Sequence, residues 1–505
     1  MGQSFESTLA EFRNLIKKMK SYEEALGVMY WDLRTGAPRK GMENRSQVIG
    51  DLSGELFRMS VSEEMSGYLE QLLEPQTFEQ LDEVNRKIVK ECKKEYDRSK
   101  KIPPEKYQAY VVLTSQAESI WEDVKPKSDF AAFAPYLEKI VAYNREFIDL
   151  WGYTGHPYNT LLDMYEPGMT VDQLDQVFGE LRRKLVPLVS AIQQSPNKPH
   201  RSFLEQPFDI ELQKKFSRYI LNEMGYDFEA GRLDESAHPF ATGLNPGDVR
   251  ITTRYLPNDV TSALFGTIHE GGHALYEQNI SPDLIGTPLC TGTSMGIHES
   301  QSRFWENMIG RSIGFWKRYY PQLQQHYPER LSKVPVEIFY RGINEVRPSL
   351  IRIEADELTY NLHIMIRYEL EKELFSGTLE VQDLPEAWNR KYKDYLGVEP
   401  ANDGEGVLQD VHWSGGSFGY FPSYSLGNMY AAQIRNTLKQ QMPDFEDKIE
   451  RGELLPIKEW LVERIYKYGK SLTPSEIIQS VTGEPLNPAY LVAYFEEKYK
   501  DIYRL

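Results

Sequence analysis

Cysteine is nearly missing from this sequence: among 505 residues only Cys92 and Cys290 occur, in regions of different character and with no C-x-x-C pair. That argues against a disulfide framework and fits a reducing compartment. Nowhere do about 18 apolar residues run together, so no segment reads as a membrane-crossing helix. The opening MGQSFESTLAEF lacks the basic start and apolar run of a secretory signal, which makes the cytoplasm the expected location. Positive charge is also short: 58 Lys+Arg against 75 Asp+Glu give a formal charge of -17, with no long block of one sign. A chain so charged is not expected to have nucleic acid or an anionic membrane surface as its main partner. No repeat of 20 to 50 residues and no low-complexity tract is evident.

What the sequence does have is helical periodicity. Phe5, Leu9, Phe12, Leu15, Ile16, Met19, Tyr22, Leu26 and Met29 recur at three- and four-residue steps. The same pattern predicts helices over 44–74, 77–100, 103–124, 128–151, 170–195, 209–224, 259–280, 294–320, 335–376, 382–396, 426–442, 456–468 and 474–481. Thr170 with Gln173 makes a capping box, and Thr473 with Pro474 opens the last of these helices. Only DVRITTRY, 248–255, alternates with period two and reads as a strand. GSFGYFPSYSLGN, 416–428, reads as an aromatic loop. The expected class is mainly α with a small β element, organised as one catalytic unit over 1–505. Residues 1–200 would form a helical covering part and 201–505 the part that carries the chemistry.

HEGGH, 269–273, stands out within the helix predicted over 259–280. Residues four apart on a helix lie about 40° apart around the axis and one turn along it, so His269 and His273 can address one ion. Glu270 points about 100° aside, where it can reach a water activated by that ion without binding the ion itself. A catalytic zinc needs a third protein ligand and an open position. Glu299 of TSMGIHESQSRFWENMI, on the following helix, can approach the pair from the side and complete a His2Glu set. His298 is read either as support behind a ligand or as a substrate contact. The chemistry this predicts is hydrolysis of an amide or peptide bond. A helical scaffold holding structural zinc is the reading from another class, but such a site would close its fourth position, often with cysteine. Two adjacent glycines inside the helix cost roughly 1 kcal/mol each relative to alanine, so packing or function must compensate for them.

DVRIT at 248–252, HEGGH at 269–273, HESQ at 298–301, IRIEAD at 351–356 and GVLQDVHW at 406–413 together resemble the thermostable metallocarboxypeptidases of the carboxypeptidase Taq type, over nearly the whole chain. The resemblance implies a zinc enzyme, with cobalt as a possible substitute, that releases residues one at a time from peptide C-termini with broad preference. It also implies a helical fold with a deep groove, similar to neurolysin and angiotensin-converting enzyme, and a homodimer. His269, His273 and Glu299 would be the zinc ligands and Glu270 the base. A terminal carboxylate is best held by a guanidinium through two parallel hydrogen bonds. Arg352 is the first choice, on a long apolar helix where Asp356 could orient it, and Arg347 is the second. If the strand DVRIT lies at an edge it could pair with a bound peptide, which makes Asp248 and Arg250 substrate or framework contacts. In HWSGGSFGYFPSY, His412, Tyr420 and Tyr424 are candidates for stabilising the transition state. The spacing is similar to that of neurolysin-like oligopeptidases and favours Tyr424, with Tyr420 able to share or replace it. His238 is either a site residue or a capped-turn histidine. An oligopeptidase cutting internal bonds is the rival enzyme reading.

Overall fold

The computed structural model describes residues 5–505; residues 1–4, the start of the stretch read above for a secretory signal, lie outside it. Helices follow one another from Phe5–Thr35 to Ala489–Tyr503, and among the described residues the only sheet has three strands. The architecture is mainly α, as the periodicity predicts. Both capping signals are realised. Thr170 Oγ1 accepts from Gln173 N at 3.3 Å while Gln173 Oε1 accepts from Thr170 N at 3.0 Å. Thr473 and Glu476 exchange the same two bonds, with Pro474 at the first helical position. None of the helices described is long and apolar enough to cross a membrane.

Several predicted helices are broken, two of them in the segments that carry Glu299 and Arg352. The one expected over 44–74 divides into Met42–Ser60 and Glu63–Leu72, because Ser62 turns extended and its hydroxyl caps the second helix through Met65 N. The one over 294–320 divides into Met295–Arg303, a wide π-helical stretch Phe304–Gly310, and Ile313–His326 capped by Ser312. The one over 335–376 keeps only its ends, Val336–Ile343 and Tyr360–Ser376. Pro348 disfavours helical backbone at Arg347. Asp356 then draws the Leu358 and Thr359 N–H groups onto its carboxylate, at 3.0 and 2.9 Å, and holds an irregular loop in place. Arg352 therefore sits on a single 3-10 turn, Arg352–Glu354, and not on a long helix. The aromatic loop is also shorter than predicted, since a helix Pro422–Gln441 begins at Pro422 and carries Tyr424 in its first turn.

The predicted strand is present as β3 (Asp248–Thr253), but two unpredicted strands flank it: β1 (Gly231–Glu235) runs parallel to it and β2 (Ala241–Asn245) antiparallel. With the order β1-β3-β2, β3 is the central strand and both of its edges are occupied. It cannot add a peptide strand, and that expectation is corrected. Its buried Val249 and Ile251 belong to the core, and Thr253 Oγ1 donates to Ala263 O of the histidine helix Val260–Gln278, at 3.3 Å.

The paired glycines of that helix face two different neighbours. A Cβ at Gly271 would meet the flexible ends of Leu221 and Met224, at 2.7 and 3.1 Å. A Cβ at Gly272 would come 2.6 Å from Gln301 O and 2.7 Å from Ser302 Cα, the backbone of the glutamate helix Met295–Arg303. Gly272 thus sets the distance between the two helices that carry the candidate ligands. Gly272→Ala is expected to destabilise the protein by on the order of 1–3 kcal/mol, since overpacking against backbone leaves no easy relaxation. In Gly271→Ala a helix-propensity gain of about 1 kcal/mol offsets a side-chain adjustment, leaving stability near wild type. Thermal unfolding of the two variants checks this, and equal melting temperatures would contradict it.

Candidate metal centre and cleft

The histidine helix starts at Asp259, whose carboxylate accepts the Thr261 and Ser262 N–H groups, and runs along a cleft of about 870 Å³. His269 and His273 lie one turn apart. Ser294 caps the glutamate helix through Ile297 N, and that helix delivers Glu299 between them. Glu299 Oε2 is 3.5 Å from His269 Nε2 and 3.4 Å from His273 Nε2, and one donor atom from each of the three residues lies within 4.8 Å of the others. This is the convergence a single divalent ion requires.

The far sides of the histidines are also held. His298 Nε2 lies 2.8 Å from Glu277 Oε1, so it carries the proton and leaves Nδ1 as an acceptor. His273 Nδ1, 2.6 Å away, donates to it, which frees the His273 Nε2 lone pair for an ion. Burial pushes His273 down to about 3, so its ring is neutral. His269 Nδ1 likewise donates to Glu306 Oε2, at 2.9 Å. His298 therefore stands behind His273, as the reading of it as support for a candidate ligand expects. Sequence reasoning does not single out Glu277 and Glu306, although helical spacing carries the signal. Glu277 is one turn beyond His273, and Arg303 and Glu306 follow Glu299 at steps of four and seven.

Glu270 is 7% exposed and lines the cleft; burial pushes its carboxyl up to about 7, against the opposing influence of His269. In the same cleft lies Arg352, also 7% exposed. Its partner is Asp410 of GVLQDVHW, with Nε and Nη2 donating at 3.1 and 2.8 Å, while Nη1 donates to the Tyr360 hydroxyl at 3.0 Å. Asp356, the partner expected from helical spacing, is occupied with Arg347, Leu358 and Thr359. Of the five N–H groups of a guanidinium, one on each terminal nitrogen of Arg352 remains for another acceptor. Arg367 backs Asp410 at 3.5 Å and is itself stacked on Trp413 and Phe421, at 3.9 and 4.3 Å.

Tyr424 lines the cleft with its hydroxyl 3.5 Å from His412 Nε2. Burial pushes His412 down to about 3, which makes it a neutral ring behind Tyr424. Tyr420 packs edge-on to both Tyr424 and Tyr165, with ring centres 5.1 Å apart in each pair. Arg347 and His238 are exposed residues of the cleft wall. Arg250 and Asp248 are elsewhere: Arg250 forms a two-bond pair with Asp248, each bond 2.7 Å, and opens onto a separate hollow beside Trp31 and Arg232. They lie on the central strand and are not among the residues that line the cleft of the histidines.

A family profile described as carboxypeptidase Taq (M32) metallopeptidase matches residues 11–499. Carboxypeptidase 1 of Bacillus subtilis (strain 168) is 52% identical over 495 residues, 98% of each chain. Thermostable carboxypeptidase 1 of Thermus thermophilus is 42% identical over 509 residues, 98% of this chain and 99% of that one. The solved structure of the M32 carboxypeptidase from Deinococcus radiodurans R1 is similar with a TM-score of 0.95 at 36% identity, covering 99% of this chain and 100% of that one. With its helical fold, its His-His-Glu group and matches over nearly its full length, the chain belongs to the carboxypeptidase Taq (M32) family of metallopeptidases, peptide hydrolases of the carboxypeptidase type.

Proposed function

We propose that this carboxypeptidase is zinc-dependent, uses Glu270 as its base, and measures each cut from the peptide terminus with Arg352. The observation that carries the reading is that a His2Glu donor set converges at a cleft that a buried carboxylate and a partly engaged buried arginine also line. Two imidazole nitrogens and one carboxylate oxygen suit zinc, with cobalt as a substitute, better than the all-oxygen cations. Zinc held there would lower the pKa of a water to about 7 and polarise the scissile carbonyl. Glu270 accepts the proton of the attacking water and returns it to the leaving amine. The two remaining N–H groups of Arg352 hold the terminal carboxylate of the peptide, and Asp410 keeps the guanidinium in plane. Tyr424 donates to the carbonyl oxygen as it gains negative charge. Recognition rests on the terminus and the reacting group, which suits broad side-chain preference.

Mass spectrometry of a peptide ladder should show sequential loss from the C-terminus, abolished by a chelator and restored by zinc; internal cleavage would favour an oligopeptidase. Glu270→Gln should retain zinc and lose on the order of 10²–10⁴-fold in kcat. Full turnover in that variant would remove Glu270 from the mechanism. Arg352→Lys keeps a cation beside Asp410 but loses the planar fork. Its kcat/KM on free-acid peptides should fall by at least about tenfold, with little change on C-terminally amidated ones. Equal losses on both substrates would count against the clamp.

A further inference from the structure

The two oxygens of Glu299 have different partners. Oε2 faces the histidine Nε2 atoms and also accepts the Ser302 hydroxyl at 3.0 Å. Oε1 accepts from Arg303 Nε at 2.6 Å, a short charge-assisted bond. Arg303 is pinned in turn: its guanidinium lies over the Tyr360 ring at 4.5 Å, and Nη1 is 3.4 Å from Glu306 Oε2. On the other side of the glutamate helix the Pro422–Gln441 helix passes at Gly427, where a Cβ would come 2.5 Å from Glu299 Cγ and 2.8 Å from its Cβ. That approach leaves the Glu299 methylenes no room to swing, and the residue is 5% exposed.

We propose that Arg303 is a positioning residue that keeps Glu299 a one-oxygen ligand. A carboxylate beside a zinc-sized ion can bind through one oxygen or both, and the second oxygen would take up coordination space that hydrolysis needs for water and the substrate carbonyl. To turn Oε1 toward the ion, Glu299 would have to give up its short charge-assisted bond to Arg303. Arg303 thus keeps coordination space open from outside the coordination sphere. Tyr360 joins this arrangement to the clamp, because the ring under Arg303 carries the hydroxyl that accepts from Arg352 Nη1. The proposal rests on the reading of His269, His273 and Glu299 as the ligands.

The test loads wild type and Arg303→Leu with one equivalent of cobalt(II) and reads the visible absorption and the X-ray absorption fine structure at the cobalt edge. Wild type should show the strong visible bands of low-coordinate cobalt and a single oxygen from Glu299. Arg303→Leu should show weaker bands and gain one light-atom neighbour in the first shell. If the leucine variant does not fold, Arg303→Ala, which leaves room for water around Glu306, is read in the same way. Both Glu299 oxygens on the ion in wild type, or an unchanged first shell in a folded and loaded variant, would overturn the role of Arg303 alone. Undiminished cobalt uptake by His269→Ala would instead overturn the ligand set, and the proposal with it.

Discussion

The closeness of two helices at Gly272 is the constraint on which the candidate metal centre depends. Two imidazoles on one helix make half of a site, and the third donor must arrive at a fixed height and distance. Gln301 and Ser302 bring their backbone to where a side chain at position 272 would stand, and Gly427 brings a third helix against Glu299 from the opposite side. The glutamate helix is therefore wedged between two glycines on neighbouring helices. The helix-propensity cost of HEGGH is offset by contact at backbone range.

Charge is placed on this frame as an alternating series. Glu306 faces His269 and Arg303, Arg303 faces Glu299, and Glu299 faces the imidazole nitrogens. Burial alone would raise the Glu299 carboxyl, but Arg303 and the histidines hold it well below the usual carboxylate range, so it is an anion ready to bind a cation. Across the cleft Asp410 does the same for Arg352, and Tyr360 lies between the two arginines. Glu299, Arg303, Glu306, Arg352 and Asp410 each face a group of opposite sign, as buried charges require.

Legibility in the sequence followed the range of the interactions. Local signals read well: the capping boxes at Thr170 and Thr473, the period of the helices, and the four-residue spacing of His269 and His273. Breaks made by a single residue, Ser62 or Pro348, were visible in principle but were outweighed by continuous periodicity on either side. Partners far apart in sequence were not legible. Asp356 was the natural guess for Arg352 because it lies one helical turn on, whereas the actual partner, Asp410, reaches it from another segment. The strand expected over 248–255 rests on its own alternation. Its central position depends on β1 and β2, whose mixed residues GRLDE and ATGLN carry little apolar alternation of their own.

The central claim is that three side chains, and no fourth, hold one zinc ion in the cleft beside Glu270. Anomalous diffraction at the zinc edge, from crystals of the zinc-loaded protein, tests it most directly. The account predicts one strong peak per chain, about 2.0–2.2 Å from His269 Nε2, His273 Nε2 and a single oxygen of Glu299. A peak elsewhere in the molecule, or one closed off by a fourth protein ligand, would contradict it.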